Sequence, residues 1–492
     1  NTAKLFYLSV PALSAINDFL LPFIGVIILY AAFFSLIGSR KIAALSSFLY
    51  YFTLIFLFGR PINPQFSFIF LFLSIFLIHR IIAADENDNK KILRLNFLLA
   101  IVFGIEFYTY PFCWTATLVL YSMILFLLLI KNKSFLYLKG FLLFLASIAV
   151  ISVPYILNLK QAVLSPFYLE SNLRWGFLFT RIPSAYFNVG LMFIGLTVLF
   201  LSCKYFENRK TLIFLSSLGI SGIILNWQNV ITGQAFSFSM HYYWVIVLFL
   251  FLIITGVFNV VRKEKFSFRI CIIYGLIILS LLIVINREKG GIRFVLIEPF
   301  NSVNTEVFRK QQELAALADW FNKNTPKESA VYCLGGDYNW FLPIYTHNNV
   351  YYNGYAANYL LSDSELEDRW VMQNFFTDLT ADYIKKNQGG IWLNKFIESY
   401  QNREIRKKLI SLITGKEYTA GVMIPDEYIQ KIFDKQAAFR KSGFGIALKK
   451  YEVDYVLVSK DYVDSRITPN PESFDLLSLI SKIGDNFVYE VR

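Results

Sequence analysis

Apolar residues run in long, nearly unbroken blocks through the first part of the chain, and the blocks are separated by short polar loops. A helix of roughly 20 apolar residues crosses a hydrocarbon layer of about 30 Å. On that measure the pattern predicts about ten transmembrane helices. They fall at Asn17–Gly38, Ile42–Phe58, Ile62–Ile78, Leu93–Tyr108, Pro111–Ile130, Phe135–Leu157, Phe187–Cys203, Leu212–Asn226, Tyr242–Val261 and Ile270–Ile285. From Arg287 onward the pattern becomes that of an ordinary globular domain. A helix is expected from about Glu306 to Asn324, capped by Asn304 or Thr305, with Leu314, Leu317, Trp320 and Phe321 on one face. Strand-like runs follow at Ser329–Cys333, Val350–Tyr352, Val453–Ser459 and Phe487–Val491, with helical stretches near 364–386, 391–413 and 426–442. The expected architecture is a polytopic α-helical membrane protein with a C-terminal α/β domain. Residues 1–286 form the multi-span region, 287–303 a linker, and 304–492 a soluble domain large enough to fold alone.

Composition agrees: 56% of the 492 residues are hydrophobic and 17% are charged. The net charge of +12 would invite a nucleic-acid role if it lay on the tail, but it does not. Residues 1–286 hold 21 of the 47 basic residues and only 8 of the 35 acids, so the tail is close to neutral. The basic excess sits in alternate loops: Arg40 and Lys41; Arg80, Lys90, Lys91 and Arg94; Lys131, Lys133 and Lys139; Lys204, Arg209 and Lys210; Arg262, Lys263, Lys265 and Arg269. Short basic loops stay in the cytoplasm, so both termini and the tail are expected outside it, in a bacterial plasma membrane. Arg287, Lys289 and Arg293 lie on the outer side, which a long translocated domain tolerates. Cys113, Cys203, Cys271 and Cys333 match no disulfide or metal spacing, and three histidines make a His-rich metal site improbable. The first residue is Asn and no basic leader precedes the first apolar block, so a further span and outer loop are expected before it.

Candidate chemistry lies at the outer ends of the spans. Glu106 precedes Tyr108-Thr109-Tyr110-Pro111, and an acid at such depth is either interfacial or functional. Asp18, at the outer start of another span, has the same two readings. Arg60, in Arg60-Pro61-Ile62-Asn63-Pro64-Gln65, is a headgroup anchor or a phosphate clamp, since its planar fork suits that anion. Asn226, Gln228, Asn229, Thr232, Gln234 and His241 make a second outer cluster, rich in hydrogen-bonding groups and poor in charge. It would suit a hydroxyl-rich ligand, or satisfy its own loop. Arg60, Glu106, Gln228 and His241 are therefore the candidate substrate-binding residues. Glu365, Glu367 and Asp368 form an acidic helix start that favours the helix dipole. No phosphate loop, dinucleotide fingerprint, zinc helix or nucleophile elbow is present.

The layout resembles the GT-C superfamily of lipid-linked-sugar glycosyltransferases and their bacterial relatives. The residues that carry the resemblance are LADWFNKNTPKESAVYC (Leu317–Cys333), PIYTHNNVYYNGY (Pro343–Tyr355), YEVDYVLVS (Tyr451–Ser459), and, among the spans, RPINPQFSF and NWQNVITGQ with HYYW. The resemblance is diffuse over most of the chain. It implies glycosyl transfer outside the membrane from a polyprenyl-phosphate sugar to a sugar, lipid or protein acceptor. It also implies a general-base carboxylate on the first outer loop, and some members bind a divalent metal. That loop would lie upstream of residue 1, so the resemblance transfers no catalytic carboxylate here. Two other classes stay open: a non-catalytic envelope or assembly protein of the same architecture, and a transporter or flippase, which calls for broken spans or paired midplane charges.

Overall fold

The computed structural model describes residues 10–58, 65–85, 88–132, 135–183, 185–235, 241–265, 267–296, 314–335, 338–459 and 476–492. The chain divides into two compact units. One comprises Asn1–Lys160 and Thr180–Phe300, the other Gln161–Phe179 and Asn301–Arg492.

The first unit is helical: α1 (Val10–Ile37), α2 (Arg40–Thr53), α3 (Ile55–Phe58), α4 (Gln65–Ala83), α5 (Asn89–Thr109), α6 (Pro111–Asn132), α7 (Phe135–Ile151) and α8 (Val153–Val163). After a short helix α9 (Tyr168–Arg174), which belongs to the second unit, come α10 (Tyr186–Ser202), α11 (Arg209–Thr232), α12 (Tyr242–Val261) and α13 (Phe268–Leu296). Among the described residues eight helices are long and apolar enough to cross a membrane, and a ninth crossing arises if α7 and α8 are counted together. The expected span Ile42–Phe58 is instead two pieces, broken at Leu54. The expected span Phe135–Leu157 bends by 51° between α7 and α8. That bend frees the Ile151 carbonyl, which accepts a hydrogen bond from the Tyr108 hydroxyl at 2.7 Å. A carbonyl left without an intrahelical donor needs another partner, and Tyr108 supplies it from α5.

Helix α12 has no charged residue and is apolar all round, the signature of a helix buried on every side. It is buried along nearly its whole length. Small residues let its neighbours approach: a Cβ at Gly219 or Gly222 of α11 would collide with Leu196 or Met192 of α10, and Gly256 of α12 faces Leu215. Polar caps mark helix starts. Asp88 accepts from the Lys91 N–H ahead of α5, and Asn208 from the Lys210 N–H ahead of α11.

The second unit is an α/β domain. Its described elements are a helix over 314–324 (α14), β1 (Ala330–Leu334), α15 (Tyr338–Tyr345), β2 (Asn349–Val350), α16 (Asp363–Gln373), α17 (Ala381–Lys386) and α18 (Gln388–Trp392). These are followed by α19 (Ile397–Thr414), α20 (Asp426–Ser442), α21 (Phe444–Leu448), β3 (Tyr455–Ser459), β4 (Leu477–Ile483) and β5 (Asn486–Val491). The sheet runs β2-β1-β3-β5-β4, parallel among the first three strands and antiparallel among the rest. Strand alternation sorts the side chains. Val331, Cys333 and Leu457 face Leu317 and Phe321 of α14, whereas Tyr332, Val456 and Val458 face Trp370, Val371 and Ile432.

Segment 161–179 is part of this unit, so the unit is discontinuous in sequence. Arg174 is fully buried. Its guanidinium donates to Asp363 Oδ1 (2.5 Å) and to the carbonyls of Ala357 (3.1 Å), Tyr359 (2.9 Å) and Leu361 (2.7 Å). The Glu170 carboxylate accepts from the Asp363 N–H at 2.6 Å, and the Asn394 N–H donates to the Arg174 carbonyl. Four of the eight long apolar helices lie between this segment and the tail in the sequence.

The acidic start of α16 is a set of ion pairs. Ser362 caps the helix through the Glu365 N–H, Asp363 also pairs with Lys395, and Glu367 pairs with Lys431. Burial alone would push the Asp368 carboxyl up. Hydrogen bonds from Lys435, Lys450 and Tyr451 overcome it and hold Asp368 below the usual carboxylate range.

Candidate functional site

Helix α5 is apolar from Phe97 to Ile105, so its one acid, Glu106, has no solvated face to reach unless it lies at the rim. It does not reach water: Glu106 is fully buried. Oε1 accepts from Ser74 Oγ of α4 at 2.7 Å, while Oε2 has no hydrogen-bond partner. Thr117 of α6 lies within reach of the same carboxyl, but its buried hydroxyl makes no bond of ordinary geometry. Among the described residues no Lys or Arg pairs with Glu106, and a buried carboxyl with neither a cation nor a full set of donors is costly. Cys113 of α6, also buried, is within electrostatic reach of Glu106, Tyr50 and Tyr242.

One turn beyond Glu106, α5 ends at Tyr110, whose N–H bonds the Glu106 carbonyl at 2.9 Å. The Tyr110 hydroxyl meets His241 Nδ1 at 2.6 Å. The His241 ring stacks on Trp244 at 4.7 Å and leans on Phe112 at 5.0 Å. Thr115 Oγ1 and the Tyr242 hydroxyl meet at 2.9 Å. On α13 the Arg287 guanidinium lies over the rings of Phe187 (4.4 Å) and Tyr243 (4.2 Å). Glu106 and His241 are thus brought to one neighbourhood, with Tyr110 between them.

Gln228 bonds within its own turn: Nε2 donates to the Gln234 carbonyl at 2.8 Å, and Oε1 accepts from the Thr232 hydroxyl at 2.7 Å. The other amides nearby also spend bonds on the fold. Asn188 donates to Asn226, and Asn229 donates to the carbonyls of Thr180 and Ile182. Arg60 lies outside the described residues.

Sequence reasoning missed Ser74, Thr117, Cys113 and Arg287. Serine and threonine inside apolar blocks were the available signal, because such hydroxyls commonly bond between helices. The donors around Glu106 are one carboxylate and two hydroxyls, fewer oxygen ligands than a divalent cation takes from a protein cage. No group of three or more His, Cys, Asp or Glu stands together among the described residues. Comparison with protein-family models and with curated proteins returns no match.

Proposed function

We propose that the chain is a membrane glycosyltransferase of the GT-C type, taking a polyprenyl-phosphate-linked sugar at the extracytoplasmic end of its helix bundle. The observation that carries this reading is Glu106, a fully buried acid with one carboxylate oxygen unpartnered and no cation beside it among the described residues, on the helix whose end carries the Tyr110–His241 pair. An ionisable group inside apolar helices is costly to keep, and a ligand that uses it is the usual reason for its presence. A sugar hydroxyl would donate to Glu106 Oε2, and the flat faces of Tyr110, His241 and Trp244 suit the apolar face of a pyranose ring. Arg287 supplies a guanidinium for the donor phosphate. In this reading Glu106 positions the substrate, and the catalytic base comes from another segment. No step is derived through a metal, because the donors at Glu106 do not form a cation cage.

The test incubates the purified full chain with sugar-labelled polyprenyl-phosphate donors and a panel of sugar, lipid and peptide acceptors, and measures label transferred to the acceptor together with polyprenyl phosphate released. Glu106→Gln and Arg287→Gln are each expected to lower turnover about a hundredfold. If the unmodified chain neither binds nor consumes any such donor, the glycosyltransferase reading fails. The 51° bend between α7 and α8 favours a second reading, a carrier for the same lipid-linked sugar. Movement of the intact donor across a vesicle bilayer without consumption would select it.

A further inference from the structure

The last two turns of α19 are built unlike the rest of the second unit. Leu409 and Ile410 are each 45% exposed, Leu412 is 83% exposed and Ile413 81%. Positions i, i+1, i+3 and i+4 make one broad helical face, so these side chains form a single bare patch and not scattered exposure. Immediately N-terminal to it stand Arg403, Arg406, Lys407 and Lys408, all exposed, and Lys416 follows the helix. Of the two nearest acids, Glu404 is buried and engaged by Tyr418, the Gly421 N–H and Lys407, while Glu417 is exposed beside Lys416, so the collar keeps a net positive charge. Basic residues near a helix C-terminus also suit its dipole, which accounts for the charge but not for four uncovered aliphatic side chains.

The spacing points to an occupant. From Arg406 and Lys407 to Leu412 and Ile413 is six residues, about 9 Å along a helix axis. Interfacial helices bury their apolar face about 5–10 Å below the headgroups, with lysines and arginines at the phosphate level. The helix end is partly capped. The Gly415 N–H bonds the Ser411 carbonyl at 2.8 Å, and the Thr414 hydroxyl bonds the Ile410 carbonyl at 2.7 Å. We infer that the C-terminal end of α19 is an interfacial anchor, inserting Leu412 and Ile413 into an anionic phospholipid surface with the basic collar on the headgroups.

The full chain, carrying Cys203→Ser and Cys271→Ser, is placed singly in lipid nanodiscs; Cys113 and Cys333 are buried and stay. An environment-sensitive nitrobenzoxadiazole label goes on Leu412→Cys, on Ile413→Cys as an independent probe, and on Gln401→Cys as a control. In discs containing phosphatidylglycerol, both tip probes should emit blue-shifted light and be quenched by acyl-brominated lipid, while the control stays water-like. Arg406→Gln and Lys408→Gln should each lower the inserted-to-free ratio about fivefold. Water-like emission from both tip probes in anionic discs overturns the inference. So does equal insertion into pure phosphatidylcholine, which removes the collar's role, or a blue shift without brominated-lipid quenching, which means that protein covers the tip.

Discussion

Arg174→Ala tests the joining of segment 161–179 to the tail. The substitution deletes one charge-assisted bond to Asp363 and three bonds to the carbonyls of Ala357, Tyr359 and Leu361. Bonds to a charged group contribute about 1.5–3 kcal/mol each, so a plain sum would exceed about 6 kcal/mol. The true loss is smaller, because water enters the vacated site and Asp363 keeps Lys395 at 2.6 Å. Removing one partner of a buried pair costs about 3–5 kcal/mol, and the lower half of that range fits a carboxylate that keeps a second cation. At roughly 1.4 kcal/mol per tenfold, amide hydrogens over 356–363 should exchange about a hundredfold faster or more. Hydrogen–deuterium exchange with mass spectrometry on the full chain in detergent reads this directly. Arg174→Lys, which keeps the charge but loses the fork, should fall between the two. Exchange within about threefold of the unmodified chain for Arg174→Ala would refute the claim that this side chain holds the segment in the domain.

Two further outcomes follow from the packing. Asp368, held below its ordinary pKa, contributes stability that is present above about pH 3.9 and is lost as the pH falls through the lowered value. Urea unfolding of the tail, followed by tryptophan fluorescence, should therefore show Asp368→Asn to be destabilising at pH 7 and progressively less so below about pH 4. Gly222→Val should lower the thermal stability of the helical unit by about 1–3 kcal/mol, since a Cβ there meets Met192 Sδ at 2.6 Å and Ile246 Cδ1 at 2.9 Å. An unchanged melting profile would show that α10 and α12 can move apart freely.

The long apolar helices were legible because a block without charge can be satisfied only by lipid or by other helices. The break at Leu54 was not, since no proline or glycine marks it; the break at Ser152 does carry a signal in Pro154, whose missing N–H cannot continue the ladder of α7. Strands β1, β3 and β5 were legible from β-branched and aromatic residues. β4 was missed because LSLISKI is an edge strand with an irregular register and much exposure, which blurs the alternation. α15 was missed because Pro343 stands inside it. At the candidate site, sequence gave Glu106 its place along a helix but not its depth. Depth depends on Ser74, 32 residues earlier, and on which side of α5 faces α4. The tail was expected to fold alone; the bonds from Arg174 to residues 357–363 join residues 161–179 to it, over a sequence separation that no local pattern records.

The discontinuous second unit also sets a timetable for synthesis. Arg174 and Asp363 are 189 residues apart. At about 5–20 residues per second, roughly 10–40 s separate their departures from the ribosome, and four long apolar helices must be inserted in the interval. Until then Arg174 has neither Asp363 nor the carbonyls of residues 357–361 to bind. If each of those four helices crosses a bilayer, completion of the domain also reports that all four crossings were made. A chain that skipped one crossing would deliver its tail to the opposite compartment, where Arg174 could never meet it, and would present to quality-control proteases an Asp363 loop that never closed.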